Sequence, residues 1–224
     1  MFWIATAFAE DVAPAAEPTW WQLVSQKFSE ITPQSWIALA ALIVLGVILL
    51  VIRRTSHSWS ARMIAFGGLC IALSYILSCI RLYRLPQGGS VTPGSMLPLM
   101  IFAATYGIGP GLLVGAIYGL LQYLQGGWFL NIWQFLLDYV LAYAAMGVTG
   151  IARHWTEHWG LYVAMVVASA CRAISATLAG TLFWDTAPWA SLVYNGTYLI
   201  PETILCIMLA MLVAPTVMKV MKSV

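Results

Sequence analysis

The sequence predicts an all-helical integral membrane protein, and three observations carry that reading. Of 224 residues, 62% are hydrophobic and only 8% charged, with a mean hydropathy of +0.87, outside the range of chains that fold around one core in water. The apolar residues come in runs close to the roughly 20 residues a spanning helix needs, without the alternation of a strand. Charges gather between those runs, and only Asp138, Arg172 and Glu202 fall inside them.

Taken in order, residues 1–34 are an exposed acidic lead-in with Glu10, Asp11, Glu17 and Glu30 against a single Lys27, broken by Pro14, Pro18 and Pro33. The Ala7-Phe8-Ala9 triplet resembles a signal-peptide cleavage site, but no basic region precedes it and the apolar stretch is short. An apolar helix over 35–54 ends at Arg53-Arg54, and His57 and Arg62 continue a basic turn that the positive-inside rule assigns to the cytoplasm. Residues 62–224 form the remaining domain. Its first helix covers about 63–80. Turns then follow at 81–92, 106–110, 126–133, 153–159 and 185–189, alternating between the outside and the inside. Lys219 and Lys222 bring the carboxyl end back to the cytoplasm and leave the amino end outside, in a prokaryotic plasma membrane. Lys27, Arg81, Arg84 and Arg172 are the exceptions to the charge rule. This gives about seven spans.

Composition excludes several functions. A net charge of +2 with scattered carriers makes no nucleic-acid surface. Cys70, Cys79, Cys171 and Cys206 sit in apolar runs without metal or redox spacing, and no metal or other cofactor is implied. His57, His154 and His158 all lie in inner loops, so no intramembrane Ser/His pair is available, and there is no HExxH motif and no phosphate-binding loop. No catalytic residue is assigned, and ATP hydrolysis would have to come from a partner.

The charges inside the spans are the first functional candidates, because an ionisable group there is costly. Asp138 stands early in a helix crowded by Trp128, Trp133, Tyr139 and Tyr143, although a helix-start acid favoured by the dipole is the plainer account. Arg172 and Glu202 fall at matched depth on neighbouring helices and are expected to pair as a structural clamp. Trp128, Phe129, Trp133, Phe183, Trp184, Trp189, Tyr194 and Tyr198 cluster at the outer ends, where an interfacial belt accounts for most. With Asp138, Asn195 and the run Gly88-Gly89-Ser90 close by, an aromatic box with one carboxylate would suit a flat cationic ligand. Gly68 and Ala72, with Ala65 a turn earlier, have the small-xxx-small spacing that lets helices approach, either within the protein or against a partner.

Five stretches carry a resemblance: QGGSVTPGSMLPL at 87–99, GPGLLVGAIYGLLQ at 109–122, WFLNIWQFLLDYVLAYAAMG at 128–147, RAISATLAGTLFW at 172–184 and SLVYNGTYLIPE at 191–202. From Arg62 onward the chain resembles the thiamine-specific S component of energy-coupling factor transporters. The resemblance implies a six-helix bundle, here with one extra amino-terminal helix, whose vitamin pocket near the outer face is closed by the segment Arg84 to Gly94. It implies a pocket built from Asp138, Tyr139, Trp184, Asn195 and Trp128, with Tyr194 and Trp133 nearby, and a lid containing Gly88, Gly89 and Ser90. It further implies docking through Gly68 and Ala72 onto a transmembrane subunit with ATPase subunits. Three positions depart from the family: Asp138 in place of Glu, Ala176 in place of His and Ala190 in place of Tyr. The expected function is therefore uptake of thiamine or a close relative. The alternatives are another heteroaromatic vitamin or precursor, and a non-transporting membrane scaffold or sensor, against which a tightly copurifying ligand would count.

Overall fold

The computed structural model describes residues 59–154 and 159–223. The expected lead-in at 1–34 and the helix at 35–54 lie outside the described residues. Six helical elements follow: α1 (Ala61–Cys79), α2 (Leu97–Tyr106), α3 (Ile108–Leu124), α4 (Ile132–His154), α5 (Gly160–Phe183) and α6 (Pro188–Ser223). A hairpin of two short antiparallel strands, β1 (Tyr83–Arg84) and β2 (Ser90–Val91), stands between α1 and α2. Four of the helices are long and apolar enough to cross a membrane, and α2 and α3 are shorter. Large apolar side chains such as Ile64, Leu69, Ile76, Val166, Ile174, Leu182, Ile200 and Leu212 face outward, as the lipid-facing surface of a membrane bundle requires.

Helix α2 is the pin of the bundle. Every residue from Leu97 to Thr105 is buried, and Phe102, Leu99 and Met100 join Met96, Tyr118, Met146, Met165 and Cys206 in one continuous core. Ten residues of α-helix reach only about 15 Å, half the roughly 30 Å of a hydrocarbon core. Its carboxyl end is fixed where the Tyr106 hydroxyl donates to the Met221 carbonyl and Arg153 donates to the Tyr106 carbonyl, both at 3.1 Å. The chain leading into its amino end must therefore descend deep into the bundle without helical hydrogen bonds. Gly107, at φ 98°, turns the chain directly from α2 into α3, a conformation that costs a residue with a Cβ.

Helices α3 and α4 touch backbone to backbone. Gly111, Gly115 and Gly119 repeat every four residues along α3, and a Cβ on them would meet Gly147, the Tyr143 carbonyl and the Tyr139 carbonyl in turn. A Cβ on Gly147 or Gly150 would likewise run into the α3 backbone. Each step of four on one helix thus meets a step of four on the other. Helix α4 is irregular where it takes part in this contact, with a wide π-helical turn at Leu136–Leu141 and a tighter 3-10 stretch at Ala145–His154. Such π turns often mark functional sites.

On α1 it is Gly67 that packs inward, against Val114 and Phe102. Gly68 and Ala72 are exposed, and a Cβ on Gly68 would meet nothing within 4 Å. The alternative in which this pair packs within the bundle is therefore not what the structure has.

The glycine ladder predicts the effect of overpacking. Gly147→Val forces two backbones apart and is expected to cost about 3 kcal/mol, read as a clear drop in thermal midpoint in detergent. Gly68→Ala has open space and is expected to leave that midpoint unchanged. Equal midpoints for Gly147→Val and the parent protein would refute the ladder.

Candidate functional site

One end of the bundle holds a cavity of about 510 Å³. Its walls come from the hairpin segment, the carboxyl end of α3, the amino-terminal half of α6, the start of α4 and the inner face of α5. The cavity thus lies where the chain leaves regular helix, above the amino end of α2.

The floor is polar. Glu202 on α6 is 2% exposed, and its Oε1 accepts from the hydroxyls of Thr92 and, at 2.9 Å, Ser95. Thr92 Oγ1 also receives the Ser95 backbone N–H at 3.2 Å, so two hydroxyl contacts tie the descending segment to α6 and a third bond braces the segment itself. Arg172 on α5 donates from Nη1 to the Met96 thioether and from Nη2 to the Tyr143 hydroxyl at 3.0 Å. Its guanidinium also lies over the Tyr143 ring, 4.1 Å from the centroid, a cation–π contact. The expected Arg172–Glu202 ion pair is therefore corrected. Both residues line the floor at matching depth, but no direct bridge joins them. Thr92 and Ser95, carried in by the descending chain, take the carboxylate, while Met96 and Tyr143 occupy the guanidinium.

The walls carry the acid and the aromatic rings. Asp138 stands in the π turn of α4, and Gln134 one turn earlier donates to its Oδ2 at 2.6 Å. Gln134 has no free play. It is fully buried, its own Oε1 receives the Leu130 N–H at 3.1 Å, and its amide nitrogen is therefore the end that faces Asp138. Tyr139 accepts the Trp128 N–H at 2.8 Å and joins Tyr123 and Phe135 in an aromatic group. Trp128 and Trp184 meet edge to face, centroids 6.1 Å apart at 85°, and are 63% and 40% exposed, which puts them at the mouth. Asn195 donates to the Ser191 carbonyl at 2.9 Å and accepts from Tyr198 at 2.7 Å, so it fixes the Tyr198 ring.

The hairpin roofs the cavity. Gly88, Gly89 and Ser90 line it, and the Gly89 N–H donates to the Tyr194 hydroxyl at 3.1 Å. A Cβ on Gly89 would strike the Tyr198 ring at 2.6 Å, so only glycine allows the strand turn to lie this close to α6.

Of the residues singled out from sequence, Asp138, Tyr139, Trp184, Asn195, Trp128, Tyr194, Gly88, Gly89 and Ser90 all border this one cavity, as do Arg172 and Glu202. Trp133 does not: it is 9% exposed and packed into protein. Successive helical residues differ by about 100° in direction, so with Gln134 facing the cavity its neighbour Trp133 turns away. Ala176 lines the cavity, while Ala190 does not. Sequence reasoning missed Thr92, Ser95, Gln122, Gln125 and Gln134. A glutamine within an apolar run was the available signal, since an unpaired buried amide costs several kcal/mol.

A helical membrane bundle enclosing a pocket with an acid, two tryptophans and a buried arginine belongs to the class of small-ligand-binding membrane proteins. The thiamine transporter protein family (Thia_YuaJ) matches residues 63–222. The chain belongs to that family. It is 32% identical over 158 residues to the thiamine transporter ThiT of Bacillus subtilis (strain 168), covering 62% of this chain and 82% of that protein. In fold it matches the solved structure of ThiT from Listeria monocytogenes with a TM-score of 0.62 at 20% identity, over 71% of this chain and 96% of that one.

The floor contacts are testable. The double substitution Thr92→Val, Ser95→Ala strips both hydroxyls from the Glu202 carboxylate and is expected to cost about 1–3 kcal/mol per lost donor. Thermal unfolding in detergent measures it, and an unchanged midpoint would show that Glu202 does not depend on those hydroxyls.

Proposed function

We propose that this chain is the substrate-binding membrane subunit for uptake of thiamine or a closely related vitamin, energised by a partner ATPase complex. The observation that carries the reading is the convergence on one 510 Å³ cavity of Asp138, the Trp128–Trp184 pair, Tyr139 and Asn195, a set suited to a flat cation. The family supports thiamine as the ligand. Residues 62–224 act as the binding domain, with 35–54 an additional span and 1–34 an exposed segment.

Orientation follows from charge. Arg153, His154, Lys219 and Lys222 belong to the end opposite the cavity, so the positive-inside rule puts that end in the cytoplasm of a prokaryotic cell and the mouth outside. The hairpin then serves as the lid over the ligand. The outward-facing Gly68 and Ala72 on α1 offer a flat strip for close approach by a partner transmembrane subunit. The position of Ala176 is what favours the second reading, another heteroaromatic vitamin or precursor, because a short side chain there enlarges the cavity.

Two substitutions test the ligand reading by isothermal titration with thiamine. Trp184→Ala removes one wall of the mouth and is expected to weaken binding roughly tenfold. Asp138→Asn keeps the shape and removes the charge, at an expected cost of about 1.5–3 kcal/mol, or ten- to a hundredfold. If both variants and the parent bind thiamine equally, or the parent prefers neutral pyrimidines, thiamine is not the ligand of this cavity.

A further inference from the structure

Arg172 reaches the cavity with more hydrogen-bonding capacity than the protein uses. A guanidinium has five N–H donors in a rigid fork and no acceptor. Here one nitrogen is spent on the thioether of Met96 and another on the phenol of Tyr143, and a thioether is a weak acceptor. Glu202 shares the floor but is taken by Thr92 and Ser95. Arg172 is 8% exposed, and it lines the cavity. A buried charge so thinly supplied with acceptors is costly unless something else completes its shell.

Ala176 stands one turn further along α5 and also lines the cavity. Helical side chains lean toward the amino end, so a residue at 176 covers the turn that carries residue 172. Alanine leaves that turn open to the cavity.

We infer that Arg172 is a specificity-determining residue, donating to a neutral ring-nitrogen acceptor on the part of the ligand remote from its cationic centre, which enters the space left by Ala176. This rests on the reading of the cavity as a site for thiamine or a relative. Arg81 and Arg84 also line the cavity, but on the floor itself Glu202 accompanies Arg172, and a ligand anion there would sit against the Glu202 carboxylate, which favours a neutral acceptor. Asp138 meets the cationic ring, which leaves the pyrimidine for the guanidinium.

The experiment uses the full chain in detergent, titrated calorimetrically with thiamine and with two pyridine analogues in which one or the other pyrimidine ring nitrogen is replaced by carbon. The parent protein is expected to prefer thiamine to one of the analogues by tenfold or more. Arg172→Met is expected to weaken thiamine at least tenfold but that analogue less than threefold, so the preference collapses. Ala176→Leu, which covers the guanidinium without altering it, is expected to narrow the same preference and serves if Arg172→Met does not fold. A parent protein that binds none of the three compounds defeats the thiamine reading itself. A parent that binds thiamine, with variants that keep its preference or lose all three compounds equally, makes Arg172 purely structural and overturns the inference.

Discussion

The carboxylate of Glu202 holds the stretch of non-helical backbone that descends into the bundle ahead of α2. Inside a membrane every backbone group needs a partner, and irregular chain is tolerated only where protein or a polar cavity satisfies it. Here Thr92 and Ser95 turn their hydroxyls to Glu202 while Ser95 and Gly94 direct their own N–H groups back to Thr92. The segment can then stop descending and begin α2 at Leu97. Because α2 spans only half a membrane, the space above its amino end stays open, and that space is the cavity. A longer α2 would fill it.

The glycine ladder between α3 and α4 sets the rest of the geometry. Its contacts fall on the carbonyls of Tyr139 and Tyr143, and the side chains of both residues line the cavity. Close packing of two backbones therefore fixes the height of one wall. The π turn between Leu136 and Leu141 lies within that ladder, so Asp138 is presented by backbone held rigidly on the α3 side and by Gln134 on its own helix. The acid is thus held in place from two sides, by packed backbone and by a neighbouring amide.

Much of this was legible in the sequence because charges are rare in apolar runs and their cost there is large. Asp138, Arg172 and Glu202 stood out for that reason, and all three border the cavity. What was not legible depends on direction and on neutral polarity. Trp133 and Gln134 are adjacent in sequence, and only the phase of the helix decides which of them faces the ligand. Matched depth brought Arg172 and Glu202 to the same floor but could not show that two hydroxyls and a thioether would stand between them. The glycines at 111, 115 and 119 lie within the stretch 109–122 that carries the family resemblance, while their packing against α4 required the fold.

The floor and the wall divide the electrostatic work. Arg172 and Glu202 together leave the floor near neutrality without forming a bridge, and the face of the Tyr143 ring attracts the guanidinium. Asp138 is then the carboxylate of the wall, while Arg81 and Arg84 also line the cavity. The exposed Trp128 and Trp184 rings stand at the mouth and the Asp138 carboxylate lines the wall, an order that would offset the desolvation of an entering cation in steps. A direct Arg172–Glu202 bridge would have locked both groups away from the ligand. Separate satisfaction of each, Glu202 by hydroxyls of the descending chain and Arg172 by the Met96 thioether and the Tyr143 hydroxyl of α4, leaves both groups on the cavity floor.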